Sequence, residues 1–460
     1  MKALRIALVA LVVLAVGLVA SADAQTLLFV LDTPNPQAGA AFGASLAVGD
    51  VNGDGKGDVA VGAPHEQVNG NQRQGRVYVF NGRSGSVLLT LDTPKPQADA
   101  GFGSLVAVGD VNGDGWADVA ATGGDKDLGT VVYVFSGADG SLLLSLHSPG
   151  AGGFGSSVAL GDVNGDGNGD IAVGASHEDP GPGVYVFSGA DGSLLFALDG
   201  LDTRFGVSVA VGEVNGDGKA DIAVGLPGPD RAYVFSGADR SLLLTLTGCP
   251  HGGAFGASIA VGEVNGDAKA DIAVGDLGSG YFNHVACVFS GADGSLLMTL
   301  HSTNPQLNDW FGSPVAVGDV TGDGKGEIAV GAGGEWVGGT WDVGRAYVFS
   351  GGDGSLLLTL DTPNPQVSSG FGGSLAMGDG KADHRADIVA AATGEDVDGH
   401  DDQGRAYVFS AAGPVGGVAQ LPNVSGSSDP NYLAVAGLAA ALLVTLTAAA
   451  WYARRRFSRG

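Results

Sequence analysis

Acidic side chains at fixed intervals set the chemistry this chain could perform. In Asp50-Val51-Asn52-Gly53-Asp54-Gly55-Lys56-Gly57-Asp58, side-chain oxygens fall at positions 1, 3, 5 and 9, and a glycine at position 6 permits a tight turn. The carbonyl of Lys56 at position 7 can turn inward. Such a set forms an oxygen cage for a hard cation, and calcium takes six to eight oxygen ligands. A helical calcium hand would need a glutamate at position 12 and a following helix. Here Val59-Ala60-Val61-Gly62 follows instead, which puts the loop in a β-hairpin.

The pattern recurs as Asp110, Asn112, Asp114, Trp116 and Asp118, then as Asp162, Asn164, Asp166, Asn168 and Asp170. Further copies place Glu213, Asn215, Asp217, Lys219 and Asp221, and Glu263, Asn265, Asp267, Lys269 and Asp271, in the same positions. The fifth copy has Ala268 where the turn calls for glycine, so backbone strain is expected there. A sixth copy offers Asp319, Thr321, Asp323, Lys325 and Glu327. The seventh, Asp379 to Asp387, carries Lys381 at position 3 and His384 at position 6, and is expected to hold no ion. Three clustered carboxylates repel one another unless a cation neutralises them. Five or six structural calcium ions are therefore expected, stiffening the fold without doing chemistry.

Of the 49 acidic residues behind a net charge of -27, 21 lie in these loops. The excess is thus mostly local, and it disfavours nucleic acid as a partner. Length alone would suggest about three domains of roughly 150 residues, but internal repetition overrides that estimate. A phenylalanine-glycine pair opens each unit at Phe42, Phe102, Phe154, Phe205, Phe255, Phe311 and Phe371. The steps between them run from 50 to 60 residues. Each unit then reads as four short strands, represented by Leu46-Ala47-Val48, Val59-Ala60-Val61, Val77-Tyr78-Val79-Phe80 and Leu142-Leu143-Leu144-Ser145-Leu146. Four strands per unit of about 50 residues match a β-propeller blade, whereas a β-helix needs much shorter repeats. Unit seven ends at Ala406-Tyr407-Val408-Phe409 with no fourth strand after it. Thr26-Leu27-Leu28-Phe29-Val30-Leu31, ahead of unit one, reads like the end of a blade and is expected to supply it, leaving no open edge.

Phe42-Gly43, the loop Asp50 to Asp58 and Gly62-Ala63-Pro64 together resemble the FG-GAP repeat of the integrin α-subunit N-terminal propeller and of many secreted bacterial proteins. The resemblance implies an all-β, seven-bladed propeller over residues 25–413. The tail lacks the integrin juxtamembrane signature and the leg domains are missing, so no integrin-type heterodimer is implied.

Residues 1–24 have Lys2 and Arg5, an apolar run and Ala22-Asp23-Ala24, the form of a secretory signal. After a linker at 414–431, the stretch 432–452 contains nineteen uncharged residues from Leu433 to Trp451. As a helix these span about 28 Å at 1.5 Å per residue, which suits a hydrocarbon core of roughly 30 Å. Arg454, Arg455, Arg456 and Arg459, in a basic tail at 453–460, should stay cytoplasmic and leave the propeller outside. A processed bacterial sorting signal is the alternative for the same tail. The two cysteines, Cys249 and Cys287, make no disulfide framework. Cys287 takes the place other units give to tyrosine, so a buried free thiol is expected, with a bridge to Cys249, which export permits, as the alternative.

From the last cage acid to the tyrosine position of strand three, units one, six and seven run 20 residues and the others 12 to 16. The long loops are neighbours once a ring closes, and Asn-Pro-Gln crossings cluster beside them (Asn35, Asn304, Asn364), with Lys95 in a variant. Exposed binding candidates are His65, Glu66 and Arg73; Glu335, Trp336 and Trp341; and Glu395, Asp396, Asp398, His400, Asp401 and Asp402. Long loops on a rigid scaffold commonly carry binding, and exposed tryptophans are common anchors. The reading that follows is a membrane-anchored extracellular propeller that recognises a protein or glycan. An exported hydrolase or lyase working on the long-loop face is the alternative, but no GxSxG or HExxH nucleophile or metal motif occurs.

Overall fold

The computed structural model describes residues 26–410 apart from 151, 177–180, 201, 203, 248, 250–252 and 278–283. The expected signal, linker, apolar helix and basic tail lie outside the described residues. Seven separate four-stranded antiparallel sheets make an all-β, seven-bladed propeller. In blade 1 the strands are Ser45–Gly49, Asp58–Ala63, Arg76–Phe80 and Val87–Asp92, paired in sequence order.

Burial follows position within the blade. Strand two, of the type Asp58–Ala63 or Asp170–Ala175, is buried along its whole length, as expected for a strand covered by blades on both faces. Strand four is outermost and exposes its leading residue, as at Leu142 and Leu242. Each apolar cluster joins two adjacent blades. One of them packs Val77, Val79 and Leu91 of blade 1 against Phe102, Val119 and Tyr133 of blade 2.

The phenylalanine-glycine pair is explained by this packing. Phe42, Phe102, Phe205, Phe255, Phe311 and Phe371 are fully buried, and each lies edge-on to the phenylalanine of its own third strand, as Phe42 does to Phe80. At five of the seven seams the following glycine meets a glycine at the fifth position of strand two of the preceding blade; Thr122 and Ala391 take that position in blades 2 and 7. A Cβ on Gly62 would lie 2.0 Å from the Gly103 carbonyl oxygen, so this seam excludes even alanine.

The sheet of blade 7 contains Ser374–Gly378, Asp387–Ala392 and Arg405–Ser410, and its fourth strand is Thr26–Leu31. That N-terminal strand pairs antiparallel with Arg405–Ser410, from Thr26 opposite Ser410 to Leu31 opposite Ala406. Leu31 shares one apolar cluster with Phe42 and Tyr78 of blade 1 and Val389 and Ala406 of blade 7.

Candidate functional site

The acidic loops all connect strands one and two, and their carboxylates shape them from within. In blade 1 Asp50 accepts hydrogen bonds from the amides of Asp54 (3.0 Å) and Gly55 (2.7 Å). The Asn52 side-chain oxygen accepts from the Asp54 amide at 2.9 Å. Asp110, Asp162 and Asp319 tie the amide at position 6 in the same way: Gly115 at 2.8 Å, Gly167 at 2.9 Å and Gly324 at 2.8 Å. The carboxylate at position 9 turns inward. Asp58, fully buried, accepts from the amides of Val51 and Asn52 at 3.1 Å and from Gly82 at 3.0 Å. Burial pushes Asp58 and Asp170 up to about 6, and it raises Asp118, Asp221, Asp271 and Glu327 in the same direction.

Ala268 has φ +65, the left-handed conformation expected to strain the fifth loop. Among the described residues no three acidic, histidine or cysteine side chains converge closely enough to enclose an ion. The donor set itself, carboxylates and one amide oxygen at positions 1, 3, 5 and 9, fits a hard cation.

Neighbouring loops are also joined, which the spacing did not foretell. The amide at position 8 donates to the position-1 carbonyl of the preceding blade: Ala117 to Asp50 at 2.8 Å, Gly169 to Asp110 at 2.7 Å and Ala220 to Asp162 at 2.8 Å. Ala270 to Glu213, Gly326 to Glu263, Ala386 to Asp319 and Gly57 to Asp379 complete the set at 2.5 to 2.9 Å. The residue at position 7 contributes its side chain as well, lying across the glycine at position 4 of the preceding loop. A Cβ on Gly53 would meet the Trp116 indole at 2.2 Å, and one on Gly165 would meet Lys219 at 3.0 Å.

The long loops of blades 1, 6 and 7 correct one expectation. Glu66, Glu335 and Glu395 are not exposed: each is fully buried. The reason is a ring of donors on neighbouring segments. Tyr347 donates to Glu335 at 2.6 Å, Arg345 pairs with it at 2.8 Å, and Asn304 on the incoming crossing donates at 2.8 Å. Tyr78, Arg76 and Asn35 treat Glu66 alike, as Tyr407, Arg405 and Asn364 treat Glu395. Each arginine reaches a second acid at the end of strand four: Asp92, Asp361 or, from the N-terminal strand, Asp32. Burial raises Glu66, and burial followed by hydrogen bonding to Glu335 pushes Tyr347 up to about 12.

The Asn-Pro-Gln crossings thereby gain a role. Their glutamine clamps the residue after the buried glutamate. Gln306 accepts from the Trp336 amide at 2.8 Å and donates to its carbonyl at 2.9 Å. Gln37 holds Gln67 and Gln366 holds Asp396 by the same pair of bonds. On this fixed frame Trp336 and Trp341 stack on each other, with centroids 5.3 Å apart and planes 15° apart, while staying 45% and 61% exposed. His65, Arg73, Asp396, Asp398, Asp401 and Asp402 are exposed and His400 is half-buried.

Two features of blade 5 lie outside the favoured sequence reading. Cys249 and Cys287 form a disulfide, correcting the expected free thiol. The bond joins the crossing before blade 5 to its third strand, a contact between distant segments that spacing does not reveal. His284 meets Asp309 at 2.5 Å, with both side chains buried. Nearby, a cavity of ≈ 340 Å³ is bordered by Trp310, Leu277, Ser313 and Thr393, with Gly333, Gly370 and Gly373 leaving it open. Trp310 is 57% exposed and was not among the expected binding residues.

The FG-GAP repeat family matches residues 42–80 and 205–239, and the FG-GAP-like repeat matches 110–173. The chain carries FG-GAP repeats. Its relatives include mouse integrin alpha-3, 37% identical over 149 residues covering 30% of this chain and 14% of the relative. Chicken integrin alpha-V is 30% identical over 224 residues, 42% of this chain and 20% of the relative. Mouse integrin alpha-IIb is 38% identical over 151 residues, 29% and 15% respectively. The FG-GAP propeller described here resembles the integrin propeller, and these alignments span only 14 to 20% of the relatives' own length.

Proposed function

We propose that this FG-GAP chain is an extracellular, membrane-anchored recognition propeller whose acidic loops hold calcium and whose long-loop face in blades 6, 7 and 1 binds a protein or glycan. The observation that carries the recognition reading is the exposed Trp336–Trp341 stack on a frame fixed by buried Glu335 and clamped by Gln306. A large aromatic surface held rigid loses little conformational entropy on binding, which favours its use as an anchor. The similarity to integrin alpha subunits supports an extracellular setting and binding in place of catalysis. Asp50, Asn52, Asp54 and Asp58, with their equivalents in blades 2 to 6, would hold the ions; a bound cation would neutralise the clustered carboxylates.

The test is a screen of the purified extracellular part against arrayed glycans and matrix proteins, repeated with Trp336→Ala and Trp341→Ala. Loss of the captured ligand in both variants, with unchanged melting, is expected. Full binding by both variants would remove this face from consideration.

A further inference from the structure

The seventh acidic loop keeps the turn of the others while replacing its neutral position-3 oxygen by an amine. Asp379 accepts from the amides of Asp383 at 3.2 Å and His384 at 2.8 Å, and Asp383 accepts from Arg385 at 3.1 Å. The first two are the bonds Asp50 accepts in blade 1, and the third recurs in blade 2, where Trp116 donates to Asp114 at 2.9 Å. They persist although Ala382 and His384 stand at φ +55 and +62, where the other loops mostly have glycine.

Into this turn Lys381 extends its ammonium group. Its Nζ lies 2.7 Å from Asp387 Oδ1 at position 9 and 3.8 Å from Asp383 Oδ2 at position 5. The same nitrogen donates to Ser410 Oγ at 2.6 Å. A single positive charge thus sits among the acids that the donor pattern gives to a cation. Asp387 is buried, with a side chain only 3% exposed, so its charge needs a close partner.

We propose that the Lys381 ammonium is a tethered cation that takes, in the seventh loop, the place an ion takes in the others. The comparison rests on the calcium reading of loops one to six. Its consequence concerns the end of the chain that meets the beginning. Ser410 lies opposite Thr26 in the sheet, so Lys381 ties the acidic loop to the strand that pairs with the N-terminal segment. Asp379 also accepts the Gly57 amide of blade 1 at 2.6 Å, and the Ala386 amide donates to Asp319 of blade 6 at 2.5 Å. This seam is therefore held without a dissociable ion, while the other loops depend on the calcium supply.

The experiment compares the full chain with Lys381→Met and with the double variant Lys381→Asn/His384→Gly, by thermal melting in chelator and by calorimetric titration with calcium chloride. In chelator, Lys381→Met should melt at least about 2 °C below the parent protein, and calcium should not close that gap. The double variant should melt low in chelator, recover in calcium, and bind one calcium ion more than the parent. Equal melting of Lys381→Met and the parent in chelator, or no additional ion in the double variant, would overturn the proposal. Failure of the parent itself to bind calcium would instead refute the calcium reading of loops one to six; the chelator melt of Lys381→Met would still decide the role of the ammonium.

Discussion

The two faces of the propeller handle buried carboxylates in opposite ways. On the long-loop face Glu335 arrives with its own neutralising set, Arg345, Tyr347 and Asn304. On the acidic-loop face Asp58 is equally buried but is met by the backbone amides of Val51, Asn52 and Gly82. Amides supply partial charge, so the first arrangement is complete within the chain and the second leaves a net negative turn. The difference separates a structural latch from a place suited to a cation. Lys381 in blade 7 brings a side-chain cation to the second face and gives it the character of the first.

The sharpest way to break this comparison is to vary calcium. Each loop loaded at 100 times its dissociation constant should add about 2.7 kcal/mol, so chelation of several sites should outweigh any single substitution. Melting midpoints that are equal in calcium and in chelator would dissolve the distinction between the faces. Next in size is Glu335→Ala, which leaves Arg345 its pair with Asp361 but removes the acceptor of the buried Tyr347 hydroxyl and of Asn304, and should cost about 2 to 3 kcal/mol whether or not calcium is present. Its loss should be measured by denaturant unfolding under both conditions, because a calcium-dependent loss would mean that the latch and the loops are one system.

A smaller effect is expected at the joint between loops. Gly113→Ala forces a side chain to φ +74 and against Asn168, at 2.6 Å from its Oδ1. Because the far end of Asn168 can move, the cost should be mainly that of the left-handed backbone, about 1 to 2 kcal/mol. Denaturant unfolding measures it, and no change at all would mean that these glycines are not required by the packing. Smallest for stability are Trp336→Ala and Trp341→Ala, which remove exposed rings and should shift unfolding by no more than about 0.5 kcal/mol.

Much of the fold was legible in the repeats. The phenylalanine-glycine pairs fixed the number of blades, and alternating apolar and acidic segments fixed the order of strands within each one. Thr26–Leu31 was recognisable as a fourth strand because it resembles Leu356–Asp361 of blade 6 in sequence. The candidate sites were less legible. Glu66, Glu335 and Glu395 read as surface acids because each sits in a long polar loop, and their partners lie on a strand and on a crossing up to 31 residues away. Trp310 gave no signal, since a lone tryptophan before a phenylalanine-glycine pair looks like packing. The disulfide was the less favoured reading because Cys249 has no equivalent in other blades to show what it faces.

By itself the sequence determined what is periodic: seven blades, the oxygen-bearing side chains of each acidic loop, their replacement in the seventh and the three long loops. These are set by local residue order, since turns and strand alternation depend on near neighbours. Only the tertiary structure decided which charges are neutralised. Whether an acid is buried, and whether an arginine, a tyrosine, a lysine or only an amide stands beside it, depends on segments brought together from neighbouring blades. Electrostatic cost is a property of that assembled surrounding, so Glu335 and Asp58, alike as residues, have different roles.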